Sequence, residues 1–121
     1  MPCREWARIS RYWLQGIQIM RVIRSTSAWD EQQIDRFLAE TVIPIRLACI
    51  DGDGEPLICS LWYLYADGAL WCATQQAASV VAFLQADPRC GFEVAPESMP
   101  YRGVRGQGRV SLSAVQGPDI L

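Results

Sequence analysis

The residue types that could do chemistry are restricted in this chain. Its 121 residues include no His and no Lys, so all eleven basic residues are Arg. This excludes Ser-His-Asp and Cys-His catalysis, His-based zinc sites, and the lysines of phosphate loops and Schiff bases. The acids and bases that remain are Asp, Glu, Cys and Tyr. We therefore expect a bound cofactor to carry any demanding reaction.

The cysteines are the strongest nucleophiles left. They stand at positions 3, 49, 59, 72 and 90, no two form a CxxC pair, and four lie in apolar runs. This pattern is typical of buried, reduced thiols and gives no support to a disulfide or a metal site. We therefore predict a cytoplasmic protein without a metal.

Two glycine-containing motifs resemble ligand loops and fail on inspection. The segment DGDG at 51–54 is not a calcium loop, because Pro56 and Trp62 stand where that loop needs Gly and Glu. Gly103, Gly106 and Gly108 have GxxGxG spacing, but no helix follows them as a dinucleotide site requires. Glycines inside a strand more often mark a bulge, a barrel corner or a close approach.

Composition and charge are those of one globular domain. Half of the residues are apolar, a fifth are charged and the net charge is −2. Residues 1–25 hold five Arg and one acid, whereas residues 26–121 hold six Arg and twelve acids. An acidic body argues against nucleic acid as a partner. No apolar run is long enough to be a transmembrane segment.

The basic segment 1–25 is predicted to be an N-terminal arm before a domain at 26–121. Apolar residues recur in it at helical steps, at Trp6, Ile9, Trp13, Ile17 and Met20. Three interpretations stay open: a helix packed on the domain or a partner, a non-native extension with Met20 as the true start, or a membrane-surface or targeting helix. The end of the chain, 118–121, resembles the first turn of a helix, which indicates truncation at the C-terminus.

The domain itself is predicted from local patterns. A helix over 28–40 is expected to begin with Ser27 as its cap and Asp30 and Glu31 in its first turn. Asp-Gly turns then separate three strands, which predicts an antiparallel meander. The remaining elements are a helix ended by Asp87-Pro88 and two alternating strands. The predicted strands are 42–50, 56–65, 69–74, 89–95 and 101–113, and the second helix is 77–86.

The strand 56–65 is apolar on both faces. A solvated antiparallel strand should alternate, so both sides of this strand must be covered. We expect a barrel interior on one side, and a helix, a subunit or a ligand on the other.

Three phrases in order resemble the pyridoxamine 5′-phosphate oxidase-like flavin-binding split barrels. They are RLACIDGDGEPLICSLWYLYADGALWCAT, FLQADPRCGFEV and PYRGVRGQGRV, within 42–113. The resemblance implies a mainly β fold: a six-stranded antiparallel split barrel, Greek-key-like, with short flanking helices. It also implies a homodimer that holds flavin mononucleotide (FMN), or a deazaflavin, between subunits and oxidises or reduces a small substrate.

The phosphate site of that family is altered here. By spacing, Ala78, Ser79 and Val80 stand where relatives commonly have Ser, Arg and Lys. A lost charge-assisted hydrogen bond costs about 1.5–3 kcal/mol, whereas a helix dipole returns roughly 0.3–1 kcal/mol. We therefore expect weakened flavin binding, or none. The alternative is a non-catalytic dimer that binds another ligand or a protein partner.

The resemblance implies a set of cofactor-binding residues, and it leaves the catalytic residues unknown. Ser60, Trp62, Thr74 and Gln75 are expected at the flavin ring and ribityl chain, Gln76 and Ser79 at the phosphate, and Arg105 as a cation that reaches in. Each has a structural alternative. Trp62 suits interface packing, Ser79 suits a helix start, and Arg105 with Arg109 suits a solvated face.

Overall fold

A computed structural model describes residues 13–20, 28–75, 77–99 and 102–116. They form a mainly β fold, in which one curled antiparallel sheet is accompanied by two helices. The elements are β1 (Trp13–Met20), α1 (Glu31–Glu40), β2 (Ile45–Ile50), β3 (Pro56–Leu61), β4 (Tyr63–Ala66), β5 (Ala69–Gln75), α2 (Ser79–Ala86), β6 (Arg89–Val94) and β7 (Val104–Gln116). The strand order is β3-β2-β6-β7-β1-β5-β4. The predicted fold class is confirmed.

The predicted strand 56–65 is interrupted at Trp62. β3 pairs with β2 at one end of the sheet, and β4 pairs with β5 at the other end. Since β3 and β4 are consecutive in the chain, the sheet curls until its two ends meet at this residue. We call the continuous segment formed by β3, Trp62 and β4 the ribbon 56–66. The described sheet therefore has seven strands, and six if this ribbon is counted as one strand. Both hairpins of the predicted meander form, because the first half of the ribbon pairs with β2 and its second half pairs with β5; the break between the two halves was not predicted.

Residues 13–20 form a strand, so the helical prediction for this part of the arm is wrong. β1 lies between β5 and β7 and pairs with both of them. Ile17 and Ile19 are completely buried, while Gln18 between them is half-buried. The helical prediction rested on Trp13, Ile17 and Met20, which recur at steps of four and three. Ile17 and Ile19 instead repeat at a period of two, and pairing on both sides favours the strand.

This pairing makes residues 13–20 part of the sheet, together with strands of the domain predicted at 26–121. Residues 1–12 and 21–25 of the predicted arm lie outside the described residues, as do Ser27 and the end of the chain at 117–121.

Helix α1 begins at Glu31, three residues later than predicted. Asp30 is the N-cap: its carboxylate accepts from the Gln33 backbone N–H at 2.8 Å, and the Gln33 side chain accepts from the Asp30 N–H at 2.9 Å. This reciprocal capping box satisfies two backbone donors, so the chain enters the helix here.

Tyrosines of β4 hold α1 against the barrel. The Tyr63 hydroxyl lies 2.9 Å from the Leu38 carbonyl oxygen and 3.2 Å from that of Thr41. The Tyr65 hydroxyl donates to Asp35 on the same helix. Burial raises the pKa of Tyr63 to about 12, so this hydroxyl remains a hydrogen-bond donor at neutral pH.

The turns predicted from the Asp-Gly pairs are present in the structure. Gly54 has φ +79°, and Asp67 and Gly68 have φ +54° and +72°, as a two-residue hairpin of the mirror-image type requires. Helix α2 starts two residues later than predicted and ends before Pro88, as expected.

The predicted alternation of the last strands is confirmed. β6 buries Cys90, Phe92 and Val94 and exposes Arg89 and Glu93. In β7, odd-numbered residues from 105 to 113 are exposed and even-numbered ones face the barrel interior. No helix in the described ranges has the length and apolar character to cross a membrane.

Candidate functional site

A row of polar side chains crosses the outer face of the sheet. The ladders place Ser60 of β3 opposite Arg46 of β2, Arg46 opposite Glu93 of β6, and Glu93 opposite Arg105 of β7. All four side chains are exposed. Adjacent strands lie about 4.8 Å apart, so Ser60 and Arg105 are separated by roughly 14 Å. The two predicted cofactor residues of this row therefore cannot contact one small group together.

A pocket of about 320 Å³ lies at the β3–β2–β6 end of this row. Its lining residues are Ile43, Pro44, Arg46, Ser60, Glu93, Ala95, Pro96 and Glu97. Arg46 Nη2 lies 3.3 Å from Glu97 Oε1, and the two side chains are 51% and 87% exposed. Such an exposed ion pair contributes only about 0–1 kcal/mol, so a competing anion can displace Glu97 at little cost.

Four of the other predicted residues lie near one corner of the barrel, where the ribbon crosses β5. The last rung of the β4–β5 ladder is Tyr63 opposite Cys72. Trp62 is one residue beyond this rung on one strand, and Thr74 is two residues beyond it on the other. Both side chains are half-buried, whereas Gln75 is exposed. The turn into α2 closes at this corner, because the Ala78 N–H donates to the Gln75 carbonyl at 3.0 Å.

Ser79 is exposed and is the first residue of α2, which agrees with the alternative interpretation that this serine starts a helix. Gln76 lies outside the described residues. Thus the structure brings Trp62, Thr74, Gln75 and Ser79 to one region, and it places Arg105 on another part of the sheet.

The start of α2 offers no charged side chain for a phosphate. Ala78 occupies the N-cap and makes no side-chain capping bond. Val80 is only 8% exposed and belongs to the core, so a cation at that position would point inward. Arg46 lies on β2, where it pairs with Glu97, and Arg89 pairs with Asp87 at 2.7 Å. The Arg89 side-chain hydrogen bond lowers the pKa of Asp87 to about 2.

Apolar side chains along the ribbon remain exposed. Ile58 is 67% exposed, and Leu57 and Leu64 are also open to solvent. Neither helix covers these side chains. The sequence predicts that both faces of the ribbon are buried. The barrel interior buries only one face, so the other remains exposed to solvent.

Four thiols project toward the barrel interior and carry no sign of reactivity. Cys49, Cys72 and Cys90 are buried, Cys59 packs partly against the core, and all four are free. Burial raises the pKa of each, that of Cys72 to about 12, so they stay protonated at neutral pH. In the part of the chain that is described, no group of three or more Cys, Asp or Glu is arranged to hold a metal.

Sequence reasoning missed Glu93 and Glu97 as partners of Arg46. The only signal was Arg46 itself, a single charge inside the apolar run VIPIRLACI. Its neighbours come from segments about fifty residues away, and only the strand pairing reveals them.

Comparison with solved structures finds the same kind of curled antiparallel sheet. The conserved hypothetical protein Rv2991 from Mycobacterium tuberculosis is 27% identical, with a TM-score of 0.63 over 74% of this chain and 56% of that one. A second solved structure is 26% identical, with a TM-score of 0.56 over 64% of this chain and 57% of the other. The chain thus spans a little over half the length of these two proteins. No protein-family model and no curated protein matches it.

Proposed function

We propose that this chain is a flavin-binding split-barrel protein related to the pyridoxamine 5′-phosphate oxidase-like family, and that it works as a homodimer in the cytoplasm. One observation carries the proposal. The ribbon 56–66 breaks at the half-buried Trp62 and leaves Ile58 and Leu64 uncovered. A second subunit would bury these side chains, and a planar ring would fit between the subunits beside Trp62. The free thiols suit a reducing compartment.

The residues at the ribbon crossing fit a flavin ring better than a flavin phosphate. Trp62 offers an aromatic surface, and the exposed Gln75 offers an amide for the polar ring edge, whereas Thr74, its neighbour in β5, points to the opposite face of the sheet. A bound flavin would supply the hydride or electron transfer that a chain without His and Lys does not provide. The protein's part is to orient the ring and exclude water around a small substrate.

The phosphate end does not fit. Ala78 and Val80 cannot hold a dianion, and Ser79 offers one hydroxyl beside the helix start. We therefore expect FMN and riboflavin to bind with dissociation constants that differ by less than about threefold. A protein with a cation there would prefer FMN by about 10- to 150-fold, which corresponds to roughly 1.5–3 kcal/mol.

Fluorescence titration of both flavins tests this proposal. The burial of residues 79 and 80 decides which variant to use in this test. Lys at 80 would bury an ammonium in the core, whereas Arg at the exposed position 79 would not. The double variant A78S/S79R should bind FMN at least tenfold more tightly and riboflavin unchanged. S98R adds a charge at another exposed serine and should change neither constant. Absence of quenching by either flavin, in wild type and A78S/S79R alike, would reject flavin binding.

A second candidate function is a non-catalytic dimer that takes another ligand or a protein partner. The uncharged start of α2 favours it, because a chain that has lost flavin has no need of a phosphate cation. A dimer that binds neither flavin nor deazaflavin would select this alternative.

A further inference from the structure

We propose that the outer-face pocket at Arg46 binds a small monocarboxylate with a flat apolar body, and that the Glu97 carboxylate pairs with the Arg46 guanidinium when no ligand is present. The assignment of this ligand as the substrate rests on the proposed flavin function. The binding itself does not, because all the residues that carry it lie on β2, β3 and β6, in the segment before β2 and in the segment after β6.

Arg46 is positioned by the sheet and remains accessible. It lies on β2 between Ser60 and Glu93, which are its partners in the two ladders. Glu93 faces a second cation, Arg105, across the next ladder. The Arg46 side chain has one salt-bridge partner among the described residues, the carboxylate of Glu97. A guanidinium so placed can present its planar fork to a carboxylate that enters from solvent.

The walls of the pocket define the rest of the ligand. Ile43 and Pro44 precede β2, and Ala95 and Pro96 follow β6, so the two segments that border the pocket are apolar at these positions. A volume of about 320 Å³ is at the small end for ligand sites. A flat apolar body between these walls and a carboxylate on Arg46, with the Ser60 hydroxyl beside it, would use every part of the lining.

The charges in the pocket favour a monoanion over a dianion. Glu93 and Glu97 both line it, and they oppose a second negative charge on the ligand. Glu97 is 87% exposed and lies in a loop, so its pairing with Arg46 is weak and reversible. The Glu97 carboxylate therefore competes with the carboxylate of the ligand for the Arg46 guanidinium.

Benzoate is a suitable probe, and benzamide is its uncharged counterpart. In an NMR titration of the flavin-free protein, benzoate should cause saturable shifts of backbone amides at 43–46, 60 and 93–97, and benzamide should not. R46Q should weaken benzoate at least tenfold. E97Q should tighten it by about 1.5- to 5-fold, which corresponds to 0.2–1 kcal/mol for an exposed pair. R109Q removes an exposed arginine outside the pocket and should have no effect.

The opposite directions of R46Q and E97Q separate a site from general charge effects. Both residues are at least half exposed, and the dispersion of the same spectra reports whether each variant is folded. Benzoate binding that survives R46Q, or that weakens in E97Q, would overturn the proposal, as would the absence of a saturable shift. Flavin titration is a separate measurement, so failure here leaves the flavin proposal to its own test.

Discussion

Substituting Gly106 with alanine should destabilise the barrel, because a methyl group has no room at this position. Gly106 of β7 lies opposite Phe92 of β6 on the inner face of the sheet. A Cβ at residue 106 would lie 2.8 Å from Phe92 Cζ and 2.9 Å from its Cε1. Ordinary contact is at least 3.4 Å. The buried ring must therefore shift by about half an ångström or more within a close-packed core. Overpacking of this kind costs about 1–3 kcal/mol.

Denaturant unfolding measures this cost directly, and the chain provides a matched control. In G91A the new Cβ would be 3.7 Å from the nearest atom and 3.8 Å from Ala48 Cβ, which is ordinary contact. Its free energy of unfolding should stay within about 0.5 kcal/mol of wild type. The double variant G106A/F92L should recover part of the loss, because the shorter side chain removes the ring atoms that clash. Equal stabilities of G106A and G91A would refute this packing argument.

Three further predictions concern the sheet, the stability of the protein at low pH and the accessibility of the thiols. Deletion of residues 1–19 should abolish cooperative unfolding, since it removes the completely buried Ile17 and Ile19 and leaves one edge of β5 and one edge of β7 without a partner. Deletion of residues 1–12 should preserve cooperative unfolding, and circular dichroism on heating distinguishes the two variants. Asp87, with its pKa lowered to about 2, contributes stability above about pH 4 that is lost as the pH falls toward 2. D87N should therefore have a shallower pH dependence of unfolding in that window, and an unchanged slope would contradict the pairing with Arg89. In a C3S/C59S background, a thiol reagent at pH 7.5 should modify the three buried cysteines, Cys49, Cys72 and Cys90, only after unfolding; rapid labelling of the native protein would contradict their burial.

The local features of the fold could be predicted from the sequence because their causes are local. The Asp-Gly turns need positive φ, and Gly54, Asp67 and Gly68 supply it. An Asp-Pro pair ends α2 for a steric reason that needs no tertiary context. The alternation of β6 and β7 follows from one buried face.

The features that were missed depend on partners distant in the chain. Ile17 belongs both to the helical pattern with Trp13 and to an alternating pair with Ile19, and the flanking strands β5 and β7 decide between the two patterns. The interruption at Trp62 has no glycine or proline to announce it, because it arises from the closure of the sheet. Arg46 meets Glu97, 51 residues away, only through the pairing of β2 with β6.

The candidate site divides in the same way. Trp62 lies in the ribbon, and the other three follow one another in the chain: Thr74 and Gln75 end β5 and Ser79 begins α2. Local pattern was therefore enough to place them in one region. Arg105 was expected there as a cation, but β7 carries it to the outer-face row beside Glu93. A flavin contact by any of these residues remains a prediction.

Native mass spectrometry of the protein mixed with riboflavin tests the central claim most directly, because one spectrum reports both subunit number and bound ligand. If the exposed side of the ribbon in one subunit packs against the ribbon of a second subunit around a flavin ring, the spectrum should show a dimer that carries two flavins. A monomer without flavin, under conditions in which the protein is folded, would contradict the account.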